Sequence, residues 1–322
     1  MAALALTPLV MIGEGWDDYA LIDSGNGGKL ERYGPYSFVR PDTQALWPPR
    51  LAAWDSDGEF IPGSDEDGGG RWNYPNPVPQ LGWPLAWGEG ENRVKFTAQC
   101  TPFRHLGFFP DMAPVWDWMG MRLEQALLSR EGGDLRRDGI AAERGPRLRG
   151  DAQLLNLFGY TGVGSLALSQ YGPVTHVDAS KKSVAQAREN AALAGMSDRP
   201  IRWIIDDAAK FAAREVRRGK RYDGIILDPP KFGRGPEGEV WRLEEHLAPL
   251  VRDCRALLDE DSNFLFLTVY AVRMSSLALA GLLEGIFADL PGTIEHGDLA
   301  VREQGEGGRL LPTAIFARWR ND

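Results

Sequence analysis

From residue 151 onward the chain alternates short apolar runs with helical stretches, and this alternation limits the possible folds more than any other feature. The runs are 153–158, 174–177, 201–205, 224–227 and 264–269. Between them lie a helix after the first run and helices over 182–194, 208–218 and 244–258. Continuous apolar runs of this length read as strands buried on both faces. Strands joined through helices pair in parallel, because each connection has to cross over the sheet. The segment therefore predicts an α/β fold, a Rossmann-like parallel sheet with helices on both sides. Residues 299–303 and 313–319 flank a glycine-rich turn and predict a terminal hairpin.

Four groups at the predicted strand tips carry chemistry. Asn156-Leu-Phe-Gly-Tyr-Thr-Gly-Val-Gly164 joins the first strand to its helix. Glycines let a backbone approach a ligand with no Cβ in the way, and a helix start adds free N–H groups and a positive dipole end. Nicotinamide and flavin enzymes use such a turn as well. Asp178 ends the second strand, 19 residues after Gly159. A carboxylate there can accept both hydroxyls of a ribose, but dinucleotide sites place an acid at nearly the same distance. Ser180 competes with it as cap of the next helix. Asp206-Asp207-Ala208 ends the third strand, where an acid either receives a ligand's amino group or caps a helix. The fourth group is Asp228-Pro229-Pro230-Lys231, at the tip of a buried strand and 50 residues beyond Asp178. Its prolines hold the backbone extended and, lacking N–H groups, leave carbonyls free to face a substrate. A dinucleotide-binding sheet gives no reason for such an element at this strand.

Residues 1–100 have another texture: glycine, proline and tryptophan, with short alternating runs at 19–22 and 37–40 between turn clusters. They predict a β-rich module, in which the acidic stretch 55–70 reads as a mobile loop. Residues 94–99 and 107–109 predict further strands, and Trp116, Met119, Leu123 and Leu127 have helical spacing. The expected organisation is a module over 1–100, a connecting segment over 101–150 and a cofactor domain over 151–322. The opening apolar run 2–12 reads as a strand or arm: no basic residue precedes it, and no small-residue cleavage site precedes the acidic stretch 14–18. Nothing is long and apolar enough to predict a membrane span. The two cysteines, Cys100 and Cys254, have no metal or disulfide spacing, consistent with a cytoplasmic protein and no metal.

Net charge is −9, and residues 1–100 carry 14 of the acidic side chains against 7 basic ones. That balance argues mildly against a nucleic-acid partner. The remaining residues are near neutral, and arginines cluster at 136, 137, 144, 147 and 149 and again over 214–221. Either cluster reads as a local basic face or as a solvated surface.

Taken together, Asn156-Leu-Phe-Gly-Tyr-Thr-Gly162, His176-Val-Asp-Ala-Ser180, Asp228-Pro-Pro-Lys-Phe232 and Gly308-Arg-Leu-Leu-Pro312 resemble the class I S-adenosylmethionine-dependent methyltransferases related to bacterial 23S rRNA large-subunit methyltransferases. Gly107-Phe-Phe-Pro-Asp111 is similar to the family's Gly-Phe-Phe-Leu-Asp element, which folds over the cofactor. The resemblance covers residues 100–320. It implies a sheet of seven strands with the last antiparallel, S-adenosylmethionine as cofactor, and ribosomal RNA or a ribosomal precursor as partner. By resemblance Asn156, Phe158, Gly159, Tyr160, Thr161 and Gly162 hold the methionine moiety, and Asp178, Ala179 and Ser180 the ribose side. Asp207 meets the adenine, Phe109 and Asp111 cover the cofactor, and Asp228, Pro229, Pro230 and Lys231 meet the target. Two departures stand out. Members that methylate cytosine C5 carry a cysteine after the fifth strand, where this chain has Leu267-Thr-Val-Tyr-Ala-Val272; and Asp111-Met-Ala replaces the family's Asp-Gln-Arg. The expected reaction is direct transfer to a nucleobase nitrogen, with Asp228 accepting a proton or hydrogen bond. Lys231 is a phosphate contact or a surface cation, and Tyr270, Trp72 and Trp87 are base-stacking or packing residues. The alternatives are a protein or small-molecule acceptor, a nicotinamide-dependent oxidoreductase, and a non-catalytic RNA-associated protein.

Overall fold

The computed structural model describes residues 2–63, 69–90, 93–133, 152–270 and 272–321. Positions 64–68 of the acidic stretch and the arginines from 136 to 149 lie outside them.

In chain order the strands are β1 (Ala3–Leu4), β2 (Leu9–Gly13), β3 (Tyr19–Gly25), β4 (Gly28–Tyr33), β5 (Tyr36–Pro41), β6 (Gly58–Pro62), β7 (Gly70–Asn73), β8 (Trp83–Trp87) and β9 (Val94–Ala98). A 3-10 turn (Pro110–Met112) leads into helix α1 (Ala113–Gly133). Next come β10 (Leu154–Leu157), α2 (Val163–Leu168), β11 (Val174–Asp178), α3 (Lys181–Leu193), β12 (Ile201–Ile205), α4 (Ala208–Arg217) and β13 (Gly224–Leu227). A small hairpin, β14 (Phe232–Arg234) and β15 (Val240–Arg242), precedes α5 (Leu243–Ala256), β16 (Phe264–Tyr270), α6 (Ser276–Ile286), β17 (Thr293–Arg302) and β18 (Leu310–Arg320).

The main sheet runs β1-β17-β18-β16-β13-β10-β11-β12, with β2 also on β17. Every residue of β10 and β13 is buried; β13 is apolar throughout, and the one polar residue of β10, Asn156, is hydrogen-bonded to Ser165. In the parallel centre Leu157 pairs with both Val177 and Leu227, and Leu227 pairs with Leu267. The first residues beyond β10 and β13, together with the ends of β11 and β12, therefore emerge along one edge. Strand order reverses at β10, and beside such a reversal an α/β sheet leaves its crevice. β18 is antiparallel to both neighbours, as expected.

Three expectations need correction, the first being the stretch 55–70: it is not one loop, because Gly58–Pro62 form β6 and β7 begins at Gly70. The main sheet has nine strands rather than seven, because the opening run 2–12 divides at Thr7-Pro8 into β1 and β2, both parallel to β17. A proline lacks the N–H that a continuous strand would donate. Residues 107–109 do not form a strand: Gly107 takes φ +90° and Phe109 leads into the 3-10 turn at Pro110.

Strands β3 to β7 form a separate five-stranded sheet and β8–β9 a hairpin. Their inward rings join one core with the main domain: Tyr19, Tyr33, Phe38 and Phe96 pack in the same cluster as Trp116, Phe266 and Phe316. The polar seam between the two parts centres on Arg309. Its guanidinium donates to Glu303 Oε1 and Oε2 at 2.7 and 2.8 Å, to Asp23 Oδ1 at 2.8 Å and to the Pro48 carbonyl at 2.8 Å. Ser24 Oγ donates to Glu303 at 2.6 Å. Glu303 and Asp23 are buried, so removing their cation leaves two desolvated carboxylates. Replacing Arg309 by Ala is expected to lower unfolding free energy by about 3 kcal/mol, at the low end of the range for breaking a buried pair. The low end applies because 26% of the arginine side chain is exposed. Arg309→Lys, without the fork geometry, should recover only part. Chemical denaturation of the variants measures both; unchanged stability in Arg309→Ala would show that the seam does not hold the two parts together.

Candidate functional site

The strand tips border a cavity of about 770 Å³. Its walls include Phe109, Asp111, Phe158, Tyr160, Asp178, Ala179, Ser180, Asp207 and Asp228-Pro229-Pro230-Lys231. A smaller cavity of about 50 Å³ shares Phe158, Tyr160 and Asp228 with it and is also lined by Asn156, Gly159, Thr161 and Gly162. The site residues that the family resemblance implies thus each border one of these two spaces, and Gly162 and Asp228 border the same one.

The glycine turn is shaped from behind. A Cβ on Gly159 would lie 2.4 Å from the His176 ring, and one on Gly162 would lie 2.7 Å from the Ala187 methyl. Gly162 also takes φ +81°. These glycines are required by the turn's packing against the sheet and α3, a different reason from the ligand approach expected of them. Beneath the turn Asn156 Nδ2 donates to Ser165 Oγ at 2.9 Å, and Ser165 lies 2.9 Å from His176 Nδ1. Burial lowers His176 to about 3, which keeps it neutral. Phe158 and Tyr160 adopt φ +60° and +50°, a conformation costing on the order of 1–3 kcal/mol each for such residues. Asp178 helps to hold it: its Oδ2 accepts the Tyr160 N–H at 2.9 Å and its Oδ1 the Ser180 N–H at 2.8 Å. Ser180 also caps α3, its side chain accepting from Ser183 N. Thr161 Oγ1 donates to the Gly107 carbonyl at 2.6 Å, which ties the Gly-Phe-Phe-Pro-Asp segment over the turn.

Asp207 caps α4, accepting from Lys210 N at 2.9 Å, and still borders the cavity. Asp206 is ion-paired to Arg214 and does not line it. At the far end Asp228 is half-buried and accepts from Thr268 Oγ1 at 2.7 Å. Burial raises its carboxyl to about 7; the Thr268 hydroxyl opposes the shift and the Asp111 carboxylate adds to it. Asp111 is itself buried and raised by that burial, and its Oδ2 has no hydrogen-bond partner among the described residues. The Tyr270 hydroxyl nearby is also buried without one. The Pro230 carbonyl does not face the cavity as an open acceptor, because Trp241 Nε1 donates to it at 2.7 Å.

Several site residues carry no signal in the sequence. Thr268 lies inside β16 and is marked only by its position opposite a strand tip. Tyr19, Lys29, Glu31 and Arg40 of the N-terminal sheet form one cavity wall, and only tertiary packing brings them there. Trp72 and Trp87 do not border the cavity. The first packs with Phe38, Phe60 and Tyr74, and the second against Trp116. Neither cysteine borders it; Cys254 is buried in α5, with its thiol pushed well up by desolvation.

No protein-family model matches the chain. The crystal structure of a SAM-dependent methyltransferase from Agrobacterium tumefaciens aligns over 100% of this chain and 96% of that one, at 39% identity and a TM-score of 0.83. A methyltransferase solved in complex with SAH aligns over 94% of this chain and 75% of its own, at 15% identity and a TM-score of 0.62, which supports the fold alone. Ribosomal RNA large subunit methyltransferase I of Klebsiella pneumoniae is 32% identical over 131 residues, covering 38% of this chain and 31% of that protein. The chain thus matches about a third of the length of that curated relative.

Burial of Asp228 couples the fold to pH without any ligand. Its folded pKa of about 7 stands above the ordinary value of 3.8, so between those limits the folded state holds a proton that the unfolded state has lost. Stability is therefore expected to fall as pH rises from about 4 to 7 and to level off above. Asp228→Asn removes this slope, gaining up to about 4 kcal/mol on the parent between pH 4 and 8. Urea melts at both pH values measure the difference; a pH-independent gap would mean that Asp228 ionises freely.

Proposed function

The chain belongs to the class I SAM-dependent methyltransferases, in the group related to bacterial 23S rRNA large-subunit methyltransferases, and from that premise we propose that it methylates a nitrogen of a nucleobase in ribosomal RNA. The observation that supports the reading is that Phe158, Tyr160 and Asp228 line both cavities, so the glycine turn and the tip of the Asp-Pro-Pro element share walls.

The residues present fit S-adenosylmethionine. A volume near 770 Å³ is in the range of small-molecule sites. Asp178 uses one lone pair on each oxygen for backbone N–H groups, and a carboxylate has about four such positions, so two remain for ribose hydroxyls. Phe109, Phe158 and Tyr160 supply apolar wall, and Asp207 has an oxygen outside its capping bond for an amino group. When bound, the cofactor supplies an electrophilic methyl group on a cationic sulfur.

The chain's own contribution is alignment and proton handling. Thr268 and the rigid prolines hold Asp228 in one orientation. In its ionised form Asp228 accepts a hydrogen bond from an acceptor amino group, orients the nitrogen lone pair, and takes up the proton that the methylated nitrogen must release. The surrounding apolar walls exclude water and strengthen that contact. Without a cysteine on the cavity wall, covalent addition to a pyrimidine ring has no nucleophile among the described residues.

Incubation with isotopically labelled S-adenosylmethionine and ribosomal RNA from cells lacking the protein should place label in RNA nucleosides. Below about pH 7 the rate should rise nearly tenfold per unit and then level off as Asp228 ionises. Asp228→Ala should lose at least about 100-fold in kcat with folding intact, and Asp178→Asn should mainly weaken cofactor binding. Label in protein or small molecules, with none in RNA, would reassign the acceptor.

A further inference from the structure

The hairpin β14–β15, inserted directly after Asp-Pro-Pro-Lys, has two unlike faces. Its inner residue Trp241 is buried, bonded to Pro230 and packed 5.0 Å from the Phe158 ring. Its outer face carries Phe232 across from Arg242 and Arg234 across from Val240. Phe232 is 43% exposed and Val240 41%. A second exposed ring, Phe103, lies in the loop after β9; it is 48% exposed and stacks on His105 at 5.8 Å with an 18° tilt.

Beside Asp42, Asp178 and Asp207 the cavity wall carries four exposed cations, three of them close to these rings in the chain. Arg104, Lys231, Arg234 and Arg273 all line it, all are exposed, and none forms a salt bridge among the described residues. Elsewhere on this chain, whose net charge is −9, some basic side chains, among them Lys210, Arg214, Arg255 and Arg309, are held by a carboxylate, and others are not. Solvated lone cations are ordinary on a protein surface. Four around one opening, beside two uncovered aromatic faces, match a polyanion that also carries flat rings.

We propose that this rim binds an unpaired RNA strand flanking the target nucleotide, with Phe103 and Phe232 stacking on neighbouring bases and the four cations meeting phosphates. The assignment rests on the proposal of an RNA acceptor and names the form of RNA. A base held in a duplex does not reach Asp228 at the inner end of the cavity, whereas an unpaired one enters it without the loss of pairing and stacking. Stacking is sequence-tolerant, so the rim supplies affinity and alignment, and the cavity supplies selection.

Fluorescence anisotropy of the full chain with a short single-stranded RNA, its paired duplex and a polyglutamate peptide tests the proposal. The single strand should bind at least about tenfold tighter than the duplex, and polyglutamate should not compete. Changing Arg104, Arg234 and Arg273 together to Gln should reduce the slope of log affinity against log salt by about 2, at roughly 0.7 for each phosphate left without its cation. Phe103→Ala and Phe232→Ala should each weaken binding by about tenfold and leave the salt slope unchanged. Cofactor binding should be untouched in all of these variants, and thermal melts report their folding. RNA that is still methylated and bound with parental affinity and salt slope by the variants overturns the rim alone. Equal binding of duplex, or full competition by polyglutamate, overturns it as well. An enzyme that binds cofactor but neither binds nor methylates any RNA overturns the rim and the RNA acceptor together.

Discussion

The register of the central parallel strands is the constraint on which the rest depends. Leu157, Val177, Leu227 and Leu267 lie side by side, linked strand to strand by backbone hydrogen bonds and buried on both faces. A slip of one residue in any strand would turn its apolar set to the wrong face, so the register is strongly held. The residues immediately beyond these four are then placed without further choice: Phe158 and the glycine turn, Asp178, Asp228 and Thr268. The candidate site residues sit next to one another because the hydrophobic strands preceding them cannot pair otherwise.

The sheet alone leaves that edge uncovered. The N-terminal strands and the segment around Phe109 and Asp111 close it, and this closure leaves Asp228 a half-buried acid. The β17–β18 turn has a part in it, because Arg309 bridges Glu303 on its own hairpin to Asp23 on β3. Residues at opposite ends of the chain therefore influence the same carboxyl: the module they anchor carries Tyr19, Glu31 and Arg40 on the cavity wall. Local chemistry at the Asp-Pro-Pro element depends in this way on a contact between segments nearly three hundred residues apart.

Much of this is legible in the sequence, for a physical reason. Buried parallel strands require unbroken apolar runs, and ligand-facing tips carry residue types that strands do not otherwise need, so both stand out by composition. Residue identity does not report what a side chain packs against. Gly159 and Gly162 stand out in the sequence as ligand-facing glycines, yet His176 and Ala187 behind them impose the lack of a side chain. Pro230 promises a free carbonyl that Trp241 in fact occupies, because a hairpin of two three-residue strands in a polar stretch carries little periodic signal. Thr268 looks like any β-branched strand residue until its partner across the sheet is known. The division of 2–12 into two strands comes from Pro8, a local breaker inside an otherwise continuous apolar run.

Net charge reports the field outside the molecule only when its charges lie at the surface, and here several do not. Asp23, Glu31 and Glu303 are buried and satisfied by arginines or backbone N–H groups, so they contribute little to the field outside. Asp111 and Asp228 lie inside the cavity, and burial disfavours their charged forms. A formal sum counts all five as full negative charges at the surface. With these acids drawn into internal networks, the cations left uncompensated at one opening determine the potential that an approaching anion meets. A formal sum over composition therefore does not report the field at one opening wherever charges are consumed in holding the fold together.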